Sequence, residues 1–229
     1  MEDRFLRHLL LNTPTVFSAD DLPWELDHAL TSLSTLHQVL REDALLTVDH
    51  RRQGISERKS MTLKQFHESL IHQANDESFY AKDIHIQRIS SSPCKFPPLF
   101  QDDWLDQYYR YTYRNQEDFT FLYIGGPNSF TGLHFDVLCS YSVSYNIRGR
   151  KLWKLWPPCS KLHEREESLS YDRRPSAEVD ALDKLSFIQE SGETVFVPSG
   201  WYHTVENIDP CVISINKNWF ESSTRIFIG

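Results

Sequence analysis

Between Asp118 and Phe220 the chain runs strand after strand, and this density of β-branched and aromatic residues most limits what it can fold into. FTFLYIGG, LHFDVL, YSVSYNI and KLWKLWPP follow one another, with a turn at Arg148-Gly149-Arg150 and no strong helix between them. Further runs lie at Leu185 to Glu190, Glu193 to Pro198, His203 to Asn207 and Val212 to Phe220. Short strands divided by turns predict antiparallel hairpins folded into a barrel or sandwich. Residues 159–184 are too polar for a barrel wall and read as an insertion with helical pieces.

Before Asp118 the pattern is mixed. Phe5, Leu6, Leu9 and Leu10 fall at helical spacing within residues 4–12, and Asn12-Thr13-Pro14 stops that run before a short strand at Thr15 to Phe17. Trp24 to Leu40 reads as helical in at least two pieces, Ala44 to Val48 as a strand, and a second helix starts at Thr62. Residues 50–60 have no periodicity and are expected to form a mobile loop. Residues 78–89 hold a strand candidate, Phe96 to Leu99 is an extended linker, and Asp102 to Arg110 is a short acid-capped helix. The expected organisation is an α/β region over residues 1–117 packed as one structural unit on a β core over residues 118–229.

With 229 residues, 40% hydrophobic and 13% aromatic, the chain can bury a substantial core. A net charge of −8 gives no electrostatic reason to expect duplex nucleic acid and suits a basic protein partner. An acidic surface that simply confers solubility fits equally well. Cys94, Cys139, Cys159 and Cys211 show no CxxC spacing, and the N-terminus lacks the apolar core of a signal peptide. Free thiols in a reducing intracellular compartment, cytoplasmic or nuclear, are expected. No run has the roughly 18 apolar residues that a membrane span needs. The sequence does not reveal the oligomeric state.

Candidate chemistry concentrates in residues 131–158. If LHFDVL is a strand, His134 and Asp136 share a face, placing a nitrogen and a carboxylate side by side. A third ligand is available at His203, and two imidazoles with one carboxylate form the facial triad of non-haem Fe(II) oxygenases. Both histidines stand beside turn signals, Thr131-Gly132 and Pro198-Ser199-Gly200, where a barrel opens and a pocket forms. In the last strand Val212, Ser214, Asn216 and Asn218 share one face. Three small polar side chains there need partners if the face is buried, and need none if it is solvent-exposed.

The ordered motifs GLHFD, GRKLWKLWPP, GETVFVPSGWYH and ISINKNW resemble those of JmjC-domain oxygenases. The resemblance extends to the hydroxylase branch that includes the lysyl hydroxylase of the translation release factor. It implies a mainly β, cupin-like double-stranded β-helix, or jelly roll, with flanking helices. It also implies Fe(II) on His134, Asp136 and His203, with 2-oxoglutarate as cosubstrate. Lys151, which opens an apolar strand, would meet the distal carboxylate, with Thr131 and Tyr123 as hydroxyl donors to it. Asn216 and Asn218 would line the pocket, and Ser144 aligns where some relatives carry asparagine. SFYAKDIHIQRI resembles a cluster that precedes the core in several such proteins, but His85 is left out because the triad is already complete. Trp201 and Tyr202 serve as pocket wall or as packing. The implied reaction converts 2-oxoglutarate to succinate and CO2 while hydroxylating a protein, with a lysyl side chain as target and a translation release factor as one candidate partner. N-methyl-lysine demethylation and a catalytically silent cupin are the alternatives. Asp102, Asp103, Glu117, Asp118, Glu206 and Asp209 are expected to form an acidic rim that favours cationic peptides.

Overall fold

A computed structural model of the chain describes residues 2–86, 94–100, 102–113, 119–158, 162 and 170–220. The N-terminal strands are β1 (Thr15–Phe17), β2 (Glu25–Leu26), β3 (Leu45–Arg52), β4 (Ile55–Thr62), β5 (Glu77–His85) and β6 (Cys94–Lys95). The C-terminal strands are β7 (Thr120–Gly125), β8 (Phe130–His134), β9 (Tyr141–Arg148), β10 (Lys151–Trp156), β11 (Leu185–Gln189), β12 (Thr194–Val197), β13 (Tyr202–Asn207) and β14 (Val212–Trp219). Helices α1 (Glu2–Leu10), α2 (Leu63–Ile71), α3 (Trp104–Tyr113) and α4 (Ala177–Asp180) flank them.

Strands β12, β9, β14 and β7 are neighbours in one sheet, while β11, β10, β13 and β8 make up the other. All pairings between them are antiparallel. The chain changes sheet at every connection from β7 to β14 except β10 to β11, which is the jelly-roll path the β-rich pattern predicts. The larger sheet does not stop at the roll. It continues from β7 through β5 and β3 to β4, and β1 adds to β12 at the opposite edge.

An aromatic cluster fixes α1 against the outer face of this sheet. Phe5 and Leu9 are buried, whereas Leu6 and Leu10, their partners in the expected helical spacing, are exposed. The Phe5 ring lies 5.3 Å from Phe196, 5.5 Å from Phe100 and 6.4 Å from Trp219 between centroids. Phe5→Ala should therefore lower unfolding stability by about 3 to 5 kcal/mol, measurable by denaturant titration, because it leaves a cavity among fixed rings.

Three local expectations change. Residues 50–60 are no loop: β3 and β4 form a hairpin closed by Gln53-Gly54, both at positive φ (52° and 78°). Strand β4 is an exposed edge without an inward apolar row, so it carries no period-2 signal. Residues 24–40 form no α-helix, only 3-10 turns at His28–Thr31 and Leu36–Gln38 and the short β2. There Asp27 accepts from the Ala29 N–H at 2.8 Å and Ser32 from the Thr35 N–H at 3.3 Å, and such side-chain bonds compete with a helical ladder. Finally, β8 ends at His134, and Asp136 begins a turn in which Leu138 and Cys139 have positive φ. Helix α2 starts as expected, with Thr62 and Gln65 in a reciprocal capping box. Cys94, Cys139 and Cys211 are free thiols, Cys159 lies outside the described residues, and no helix among the described residues is long and apolar enough to cross a membrane.

Candidate metal centre and pocket

Strand pairing brings the two histidines together. In the β13–β8 ladder His203 is the direct cross-strand partner of His134, and their ring centroids are 4.1 Å apart. Asp136 joins them from the turn after β8, not from the same strand face as expected. One ligand atom from each of the three side chains lies within 4.8 Å of the others.

Hydrogen bonds orient each member. The Nδ1 atoms of His134 and His203 lie 2.8 Å and 3.2 Å from the carbonyl oxygens of Gly132 and Trp201. A carbonyl only accepts, so each Nδ1 carries its proton and each Nε2 keeps a free lone pair. The Ser142 hydroxyl donates to Asp136 Oδ2 at 2.6 Å, leaving the other oxygen for a ligand. Burial, and then the nearby His203, hold the His134 pKa well below its ordinary value, so the imidazole is neutral. Two imidazole nitrogens and one carboxylate oxygen suit a first-row divalent metal such as Fe(II).

The triad opens into a cavity of about 90 Å3 lined also by Tyr80, Lys82, Asp83, Tyr123, Thr131, Lys151, Trp153, Tyr171, Asn216 and Asn218. Lys151 and Trp153 alternate inward along β10, while Leu152 and Lys154 face outward. The Lys151 ammonium is 1% exposed and donates to the Ser214 hydroxyl at 2.5 Å. Among the described residues no carboxylate pairs with it to offset desolvation, and burial pushes its pKa down to about 7. An anion placed beside it would offset that desolvation, and a dicarboxylate has one to offer.

Ser214, Asn216 and Asn218 turn inward together, and Ser214 and Asn218 are buried, so this face is not solvent-exposed. Ser144 does not line the cavity; its hydroxyl donates to Asn216 Oδ1 at 2.9 Å and so positions that amide. The Tyr123 hydroxyl is committed to Asp83 Oδ1 at 2.8 Å, whereas the buried Tyr80 hydroxyl is hydrogen-bonded to Thr131 and Asn207. Tyr80 is thus the tyrosine beside Thr131. His85 stands apart, its ring edge-on to Phe121 at 4.9 Å. Trp201 and Tyr202 pack into the cores behind His203, and the Trp201 indole donates to the Asn12 carbonyl at 2.8 Å.

Sequence reasoning missed Tyr80, Lys82, Asp83, Ser142, Trp153 and Tyr171 as lining residues. The cluster in residues 78–89 was the available signal for the first three. Among the described residues three of the expected rim carboxylates are taken up by cations: Asp103 is buried against Lys217 at 2.5 Å, Glu206 pairs with Arg174, and Asp209 with Arg150. Asp102 accepts from the Trp104 indole at 3.0 Å, and Glu117 and Asp118 lie outside the described residues.

The chain is similar to several curated proteins. The chain is 39% identical over 161 residues to the zebrafish (Danio rerio) 2-oxoglutarate and iron-dependent oxygenase JMJD4, covering 65% of this chain and 37% of that protein. It is 33% identical over 206 residues to the Arabidopsis thaliana arginine-specific demethylase JMJ20, covering 76% of this chain and 43% of that protein. It is 35% identical over 202 residues to JmjC domain-containing protein 1 of Schizosaccharomyces pombe, covering 75% and 42%. The chain thus spans less than half the length of the relatives it matches. The Cupin-like domain family profile matches residues 30–225, and with the jelly roll and the His-Asp-His cluster inside that span, the chain belongs to this family.

Proposed function

We propose that this chain is the core of an Fe(II)- and 2-oxoglutarate-dependent protein oxygenase, with hydroxylation of a lysyl side chain as its reaction. The observation that carries this reading is the pairing, in one cavity, of a His134, Asp136, His203 donor set with a buried Lys151 that no anion among the described residues neutralises. Relatives named 2-oxoglutarate and iron-dependent oxygenases support it.

In this reading His134, Asp136 and His203 hold the metal, and Lys151 with Ser214 receives the distal carboxylate of the cosubstrate. Thr131 and Tyr80 supply neighbouring hydroxyls, while Asn216, fixed by Ser144, and Asn218 satisfy polar atoms that would otherwise be buried without partners. Trp153, tilted 27° against His203 at 5.7 Å, and Val205 wall off water from the ligand face. Bound together, iron and 2-oxoglutarate would supply oxidative decarboxylation to succinate and CO2, with one oxygen atom of O2 passing into a substrate C–H bond. The chain's own part is positioning.

Succinate formation from 2-oxoglutarate that depends on added Fe(II) is the expected result, and its absence would leave a binding cupin. Mass spectrometry of candidate substrates, a translation release factor among them, should show a gain of about 16 Da for hydroxylation. N-methyl removal would instead show a loss of about 14 Da. Demethylation stays the second reading because a relative matched over 76% of the chain is named an arginine-specific demethylase.

A further inference from the structure

We propose that Asp83 and Tyr171 form the receptor for a cationic substrate side chain at the mouth of this cavity, an inference that rests on the oxygenase reading and assigns its substrate class. Two carboxylates line the cavity. Asp136 is occupied by Ser142 and by the triad. Asp83 is exposed and accepts from the Tyr123 hydroxyl at Oδ1, and among the described residues no cation pairs with it.

The backbone is bent to place it there. In a regular strand Lys82 and Asp83 would face opposite ways, yet both line the cavity, because β5 bulges between Ala81 and Ile84 and Asp83 sits at φ 56°. Lys82, the neighbouring positive charge, is neutralised by Asp49 at 2.5 Å, so it does not claim Asp83.

Tyr171 comes from a different segment. Residues 170–174 lie along β8, with the Gly132 N–H donating to the Tyr171 carbonyl at 2.9 Å and the Ser170 N–H to Leu133 at 3.0 Å. A Cβ on Gly132 would collide with the Ser170 and Arg173 carbonyls, so only glycine permits this approach. Arg174 grips Glu206, and Arg51 reaches Asp172 at 3.6 Å. The segment so fastened holds the Tyr171 ring 4.7 Å from His134 while leaving the residue 49% exposed. An aromatic ring and a carboxylate with a free oxygen, both lining the cavity that holds the metal-ligand set, match an ammonium or guanidinium. A neutral or acidic side chain would gain from neither.

The test uses two fluorescent peptides with neutral flanks that differ only in a central lysine or norleucine, bound to the Mn(II)-loaded chain and read by anisotropy. The wild type should prefer lysine by about tenfold or more, the scale of one charge-assisted hydrogen bond. Asp83→Asn should bring the ratio close to one, since asparagine tolerates the left-handed backbone and can still accept from Tyr123. Tyr171→Ala should lower the ratio severalfold, and Asp83→Lys should shift preference to a glutamate-centred peptide. A wild-type ratio near one, or a ratio unmoved by Asp83→Asn, overturns the proposal. Peptide-free 2-oxoglutarate turnover reports separately on the oxygenase reading: turnover without lysine preference sinks only the receptor, and lysine preference without turnover sinks only the chemistry.

Discussion

His134→Ala and Asp136→Ala should each reduce 2-oxoglutarate turnover to assay background while leaving the fold in place. Each removes one of three donors whose ligand atoms lie within 4.8 Å, and two remaining donors cannot hold a facial site against water. The fold should survive because these side chains sit at the open end of the roll. The main cores lie elsewhere, in one cluster around Phe5 and Trp219 and another around Leu122, Ile213 and Ile215. Thermal unfolding of the metal-free variants should match wild type within about 1 kcal/mol. Binding of Mn(II), followed by electron paramagnetic resonance, should fall together with activity. Normal turnover in either variant would remove the residue from the metal site.

Lys151→Met should weaken 2-oxoglutarate binding by about 2 to 5 kcal/mol, roughly 30-fold or more, because the anion would lose a buried cationic partner, the other buried lysine of the cavity, Lys82, being paired with Asp49. The same change should raise the thermal stability of the ligand-free protein. The sign follows from the lowered pKa: the unfolded lysine holds its proton up to its ordinary value near 10.5, but the folded one releases it near 7. Burying the cation therefore costs stability, fully below pH 7 and progressively less as pH rises toward 10.5. Wild-type stability should climb with pH across that window relative to Lys151→Met. An anion beside Lys151 favours the charged form, so cosubstrate affinity should decline above pH 7, by at most about tenfold per unit. Calorimetric titration with a redox-inert metal in place tests both slopes. Unchanged affinity in Lys151→Met would mean that Lys151 belongs to the structure and not to the cosubstrate.

Much of the roll was readable because its inward rows obey strand parity. Lys151 and Trp153 on β10, and Asn216 and Asn218 on β14, turn to the cavity as alternation requires, and Ser214 on the same face meets Lys151. Alternation failed where the backbone leaves the ideal strand. Asp136 reaches the triad from a turn with left-handed residues, and Asp83 enters the cavity through a bulge; neither geometry is written in a period of two. Tyr171 was hidden for a different reason. It lies in a polar insertion and is placed by a close approach to Gly132, which only three-dimensional pairing reveals. The 50–60 hairpin escaped notice because an exposed polar edge strand needs no apolar row.

The direct pairing of His134 with His203 also bears on how the protein matures. The two residues belong to strands far apart in the chain, and they become neighbours only when β13 docks on β8, a non-local pairing of the kind that forms late and slowly. A nascent or partly folded chain therefore offers isolated imidazoles with no common coordination site. Metal uptake should lag behind secondary-structure formation in a refolding experiment. Free metal would act on the finished roll by mass action, holding its last-formed seam shut and slowing the opening of β8 from β13 without hastening their first encounter.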